Sequence, residues 1–75
     1  MPEVTVYTTP ACPWCNRVKS YLSDKGISYR EIDVAAEPEQ ARRMVEKTGQ
    51  RTVPVIEIGD DVVIGFDRER LEELL

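Results

Sequence analysis

The chain has 75 residues, of which 41% are hydrophobic and 32% charged, with a formal net charge of −4 and no histidine. This is the length of a single domain, residues 1–75, near the lower limit at which a hydrophobic core suffices without staples. The acidic balance argues against a nucleic-acid partner, and no apolar run approaches the roughly 20 residues needed to span a bilayer.

Met1-Pro2-Glu3-Val4-Thr5 lacks the basic and apolar stretches of a secretory leader, so a cytoplasmic setting is expected. Residues 3–8 are β-branched or aromatic after the first position and predict a strand covered on both faces. Thr9-Pro10-Ala11 breaks it. A helix follows from Pro13 to Lys25, with proline suited to the first turn. Cys15, Val18, Tyr21 and Leu22 share its inward face, and Gly26 suits a left-handed cap. Residues 27–34 predict a second strand whose charges suit a sheet edge. The strand–helix–strand order implies a parallel pair with a right-handed crossover.

Pro38 opens a second helix that runs to Thr48, with Ala41, Met44, Val45 and Thr48 inward and two i,i+4 pairs, Glu39–Arg43 and Arg42–Glu46. Residues 53–58 and 62–64 flank Gly59-Asp60-Asp61 as a hairpin, with Pro54 confined to the strand's start. Asp67 is a candidate N-cap for a last helix that turns Leu71, Leu74 and Leu75 inward. The expected fold class is α/β: a thioredoxin-like β-α-β-α-β-β-α chain, with a four-stranded mixed sheet and helices on both faces.

The chemistry centres on Cys12-Pro13-Trp14-Cys15, which holds the only two cysteines. Such a pair is either redox-active or half of a metal site. A structural zinc site needs four ligands, and a chain with two cysteines and no histidine closes one from thiolates only as a dimer. A dimeric metal or iron–sulfur module is therefore the alternative class. A thiolate is the nucleophile in disulfide exchange. Cys12 falls where the helix N–H groups and macrodipole favour an anion, so its pKa is expected to be depressed. Residues 12–30 add Arg17, Lys19, Lys25 and Arg30 against Asp24 alone, whereas residues 57–75 carry seven acids against two arginines. Cys15 lies almost one turn on and inward, which suits a resolving thiol. Trp14 is read as covering the pair or touching substrate. Taken by residue type alone, the Val53–Pro54 bond is expected to be trans.

The chain resembles glutaredoxins along essentially its whole length. The resemblance rests on Val6-Tyr7, Cys12-Pro13-Trp14-Cys15 with Val18-Lys19, Glu31-Ile32-Asp33-Val34, Thr48-Gly49-Gln50-Arg51-Thr52-Val53-Pro54 and Gly65-Phe66-Asp67. It implies a disulfide oxidoreductase in which Cys12 attacks and Cys15 resolves. It further implies a cis Pro54 beside the pair, leaving the Val53 backbone free to bond a cysteinyl peptide as an added strand. Pro13, Trp14, Thr52 and Gly65 would complete the groove, Arg51 would meet a carboxylate and Asp67 an ammonium group. By residue type, Arg51 is equally a solvated loop charge and Asp67 equally a simple cap.

Expected partners are protein disulfides or glutathionylated proteins, acted on by a monomer that binds no metal or organic cofactor and uses glutathione as co-substrate. Two features depart from glutathione-dependent members. Thr8-Thr9-Pro10-Ala11 has no lysine before the motif, and Gly65-Phe66 stands where those members carry Gly-Gly and paired acids. Gly-Phe is similar to the redoxins reduced by thioredoxin reductase, some of which serve ribonucleotide reductase.

Overall fold

The alternation of β-branched residues with proline-started amphipathic segments resolves into seven elements. They are β1 (Val4–Thr8), α1 (Pro13–Asp24), β2 (Arg30–Asp33), α2 (Pro38–Thr48), β3 (Val55–Ile58), β4 (Asp61–Ile64) and α3 (Arg68–Leu74). The computed structural model describes residues 3–75; the reading of Met1 and Pro2 as no part of a leader lies outside them. The sheet order is β2-β1-β3-β4, with β1 and β2 parallel and the other pairs antiparallel. β2 is thus at an edge, as its charges require, and all five residues of the central strand β1 are buried.

Because side chains alternate across a strand, the sheet has two distinct faces. Val4, Val6, Ile56, Ile58 and Val63 meet Val18 and Leu22 of α1 and Leu71 of α3. On the other face, Tyr7, Ile32 and Val55 pack with Met44 of α2. Gly26 (φ 68°) and Gly49 (φ 72°) end α1 and α2 in the left-handed conformation, where a side chain would be strained.

Several expectations are corrected. Residues 27–29 lie outside β2: the Ile27 N–H bonds Leu22 O at 2.9 Å, closing α1, and β1 pairs only from Arg30 onward. β3 begins at Val55 because Pro54 has no N–H for the ladder. In α2 only Met44 is fully buried, while Ala41, Val45 and Thr48 are half-buried, the first two of these beside an open groove. Leu75 follows the last helical residue and is 40% exposed, so it does not face inward. Among the described residues, neither Glu39–Arg43 nor Arg42–Glu46 forms an ion pair within 4 Å. These exposed side chains remain solvated, and the helix is tied instead to the sheet by Lys47 and Glu57.

Candidate active site

Strand β1 ends at Thr8, and the turn through Thr9-Pro10-Ala11 delivers Cys12 to the N-cap of α1. Pro13 takes the first helical position, where an N–H would have no intrahelical partner. The cap is made by sulfur: the Cys15 N–H donates to Cys12 Sγ at 3.1 Å. This N–H and the positive end of the macrodipole are aimed at Cys12 Sγ, the arrangement that stabilises a thiolate. Cys15 is fully buried on the Val18–Leu22 face, and Cys12 is 8% exposed. The two cysteines are joined as a disulfide, their Cα atoms 5.2 Å apart.

The second part of the site comes from the loop between α2 and β3. Antiparallel pairing sets Val55 opposite Tyr7, so residues just before Val55 lie beside the end of β1 that leads into the cysteines. Thr48 braces this loop, its hydroxyl donating to Met44 O at 2.8 Å and accepting from the Gln50 N–H at 3.1 Å. The Val53–Pro54 bond is cis, as the resemblance implied and contrary to the reading by residue type. Pro54 is buried, Val53 half-buried, and Arg51 and Thr52 exposed, with the Thr52 hydroxyl bonded to Gln50. Among the described residues no hydrogen bond uses the Val53 N–H or C=O.

The third part follows β4. The Gly65 N–H donates to Pro54 O at 2.8 Å, with Gly65 at φ 78°, so this turn is bonded directly to the cis proline. Asp67 caps α3, accepting from the Arg70 N–H at 3.2 Å, while its exposed carboxylate remains open to solvent. The two readings of Asp67 are therefore compatible.

Trp14 is 54% exposed and stands outside the core. The Arg17 guanidinium lies 4.7 Å from its ring centroid, a cation–π contact worth about 0.5–1 kcal/mol at an exposed site. In the sequence Arg17 counted only among the basic residues near Cys12, and its contact with Trp14 was missed, although the i,i+3 spacing was the available signal. A polar set on the α2 face was also missed. Tyr7 Oη donates to Glu57 Oε1 at 3.1 Å, and Lys47 Nζ to Glu57 Oε2. Burial first, then the Glu57 charge and hydrogen bond, push the Tyr7 pKa up, and the hydrogen bond to Glu57 raises that of Lys47. No helix among the described residues is long and apolar enough to cross a membrane.

Comparison with known proteins agrees with this geometry. A glutaredoxin of Neisseria meningitidis serogroup A is 44% identical over 75 residues, covering 97% of this chain and 88% of its own. The glutaredoxin-like NrdH-redoxin of Escherichia coli, described as having a thioredoxin-like activity profile, superposes with a TM-score of 0.88. Its identity is 29%, over 97% of this chain and 95% of that one. A buckwheat glutaredoxin solved in complex with glutathione gives a TM-score of 0.81 at 28% identity, over 97% and 73% of the two chains. The glutaredoxin family model matches residues 4–63, a span that contains the cysteine pair and the cis proline. With the fold, the capped pair and that match in agreement, this chain belongs to the glutaredoxin family, as a redox protein of thioredoxin-like fold.

Proposed function

We propose that this protein is a thiol–disulfide oxidoreductase acting on protein disulfides and on glutathione mixed disulfides. The observation that carries the reading is the sulfur N-cap: Cys12 Sγ accepts the Cys15 N–H at the start of α1. In the reduced form the same donors favour the Cys12 thiolate, so its pKa is expected below that of a free cysteine, ~8.5, read by thiol ultraviolet absorbance against pH.

The Cys12 thiolate attacks one sulfur of a substrate disulfide. A Cys12–substrate disulfide forms as the other substrate sulfur leaves as thiolate and takes a proton. Cys15 loses its proton, attacks Cys12 Sγ and expels the second substrate thiol. The substrate gains two electrons and two protons, and the pair becomes the Cys12–Cys15 disulfide. With a glutathione mixed disulfide, Cys12 attacks the glutathione sulfur and the protein thiol leaves. A second glutathione then resolves the mixed disulfide and departs as glutathione disulfide. Each step exchanges one S–S bond for another, so no metal or organic cofactor is required. Val53, with its backbone unbonded, is the rail on which a cysteinyl segment adds as a strand. Trp14, Thr52 and Gly65 flank it, Arg51 receives a carboxylate and Asp67 an ammonium group. A cytoplasmic monomer suits this chemistry, since a reducing compartment returns the pair to thiols.

A second reading shares the chemistry and changes the donor. Gly65-Phe66 and the likeness to NrdH-redoxin favour reduction by thioredoxin reductase, with ribonucleotide reductase among the acceptors. The oxidised protein is given glutathione plus glutathione reductase, or thioredoxin reductase alone, and NADPH loss is followed. Turnover with glutathione supports the first reading; turnover with thioredoxin reductase alone replaces it by the second. Cys15→Ser is expected to keep deglutathionylation and lose reduction of protein disulfides. A variant that kept both activities would remove the resolving role from Cys15.

A further inference from the structure

Helix α2 lies across one face of the sheet, and its two flanks differ in chemistry. The flank towards the amino end of β1 is a polar cavity of about 250 Å³ with Arg30, Arg43, Lys47 and Glu57 in its wall. The other flank is an apolar groove of about 390 Å³ lined by Val34, Ala41, Met44 and Val45, with Arg42, Glu46 and Arg51 adding charge.

Three observations connect this groove to the cysteine pair. Arg51 lines the groove and stands two residues before Val53, whose backbone is unbonded. Val34 and Val53 both pack against the cluster of Tyr7, Ile32, Met44 and Val55, so one apolar floor runs from the rail into the groove. Asp67 and Arg51 stand at opposite ends of the rail: Asp67 lies two residues beyond Gly65, which is bonded to Pro54, and Arg51 precedes Val53. A carboxylate at one end and a guanidinium at the other orient an added strand. Its amino end turns to Asp67 and its carboxyl end to Arg51, antiparallel to residues 51–53.

The residues that follow the substrate cysteine then pass over Arg51 and reach the groove. Glutathione, with a single glycine after its cysteine, ends short of it. Neither Arg42 nor Arg51 has an ion-pair partner within 4 Å among the described residues, so the charges at the groove are available to an arriving segment. Resting on the reading of Val53 as a substrate rail, we infer that the groove beside α2 binds an apolar side chain from the two residues following the cysteine of an extended protein substrate. The groove gives the protein a preference for such segments over small disulfides.

The test uses protein that has been reduced and freed of reductant, so that it does not depend on the electron donor. Thiol release is timed with three substrates: hexapeptides carrying two leucines or two glycines after the cysteine, each disulfide-bonded to 2-mercaptoethanol so that the peptide sulfur is the one attacked, and glutathionylated cysteamine. Leucine burial predicts that the leucine peptide reacts at least about tenfold faster than the glycine peptide. Ala41→Glu, which puts bulk and charge into the groove, is expected to bring the leucine peptide down to the glycine rate and leave the cysteamine rate unchanged. Equal wild-type rates for the two peptides, with cysteamine released normally, would overturn the groove and spare the oxidoreductase reading. Retention of the leucine preference in folded Ala41→Glu would overturn it too. No release from any of the three would sink the oxidoreductase reading itself. The wild-type ratio decides the matter even if the variant does not fold.

Discussion

The sheet face under α1 and α3 and the face under α2 are built on different terms. The first is a continuous aliphatic layer of eight buried residues drawn from five elements. The second has a core of four, flanked by a charged network on one side and an open groove on the other. Cys15 belongs to the dense side, seated on the same helical face as Val18 and Leu22. The proposed substrate rail borders the thin side, where Val53 packs on the Met44 cluster. Under the proposed function, rigidity is placed under the reacting sulfurs, and open space where a substrate chain would be accommodated.

The most direct way to break this comparison is to truncate one buried side chain on each face. Leu22→Ala removes a fully buried leucine from the aliphatic layer and is expected to cost about 3–4 kcal/mol, because its neighbours are fixed in strands and helices and cannot collapse into the cavity. Met44→Ala opens a space next to the groove. Water and mobile side chains can refill it, so its cost should fall near the low end for such changes, about 2 kcal/mol. Urea titration of both variants measures the difference. An equal or larger loss at Met44 would show that the α2 face is not the looser one.

A smaller effect separates structure from binding at the end of the rail. Asp67→Ala removes the acceptor for the Arg70 N–H and should cost about 1 kcal/mol, whereas Asp67→Asn keeps a capping oxygen and most of the stability. Both variants lose the charge proposed to meet a substrate ammonium, so both should raise KM for a glutathione mixed disulfide. If Asp67→Asn restored KM along with stability, Asp67 would be a cap alone.

Much of this molecule could be read before its structure was known, for identifiable reasons. Pro13, Pro38, Gly26 and Gly49 punctuate helices through backbone constraints that act locally, and α2 was bounded correctly from Pro38 to Thr48. Cys12 at a helix start and Cys15 facing inward follow from spacing alone, since 3.6 residues per turn settles which positions share a face. The cis state of Val53–Pro54 did not follow from residue type, because it depends on the chain packed around it, and only the resemblance implied it. The start of β2 was misplaced by three residues because Ile27 and Tyr29 are half-buried against the α1-side core without joining the ladder. The groove was unreadable for a related reason. Periodicity marks Ala41 and Val45 as one face of a helix but cannot tell whether the sheet extends far enough to cover them.

The charged network on the α2 face provides the subtlest test of the contrast, through pH. Glu57 holds the proton-bearing forms of two groups, accepting from the Tyr7 hydroxyl and from the Lys47 ammonium. Burial and then Glu57 raise the folded pKa of Tyr7, and the hydrogen bond to Glu57 raises that of Lys47. In the unfolded chain both groups return to ordinary values, ~10 and ~10.4. Below those values both states keep both protons, and the contribution to stability is fully present. Above them the unfolded chain sheds protons that the folded chain still holds, so stability falls as pH rises through the folded pKa values. Thermal unfolding of the wild type should therefore lose Tm as the pH rises above about 10, beyond any general alkaline decline. Glu57→Gln removes the charge that the two raised pKa values share, and its own slope over that range should be shallower. Because the Lys47 side chain is 43% exposed, its pair with Glu57 should contribute less than about 1 kcal/mol at pH 8, and Glu57→Gln should lower Tm only slightly there. Parallel slopes for the two proteins above pH 10 would mean that the network does not couple to folding.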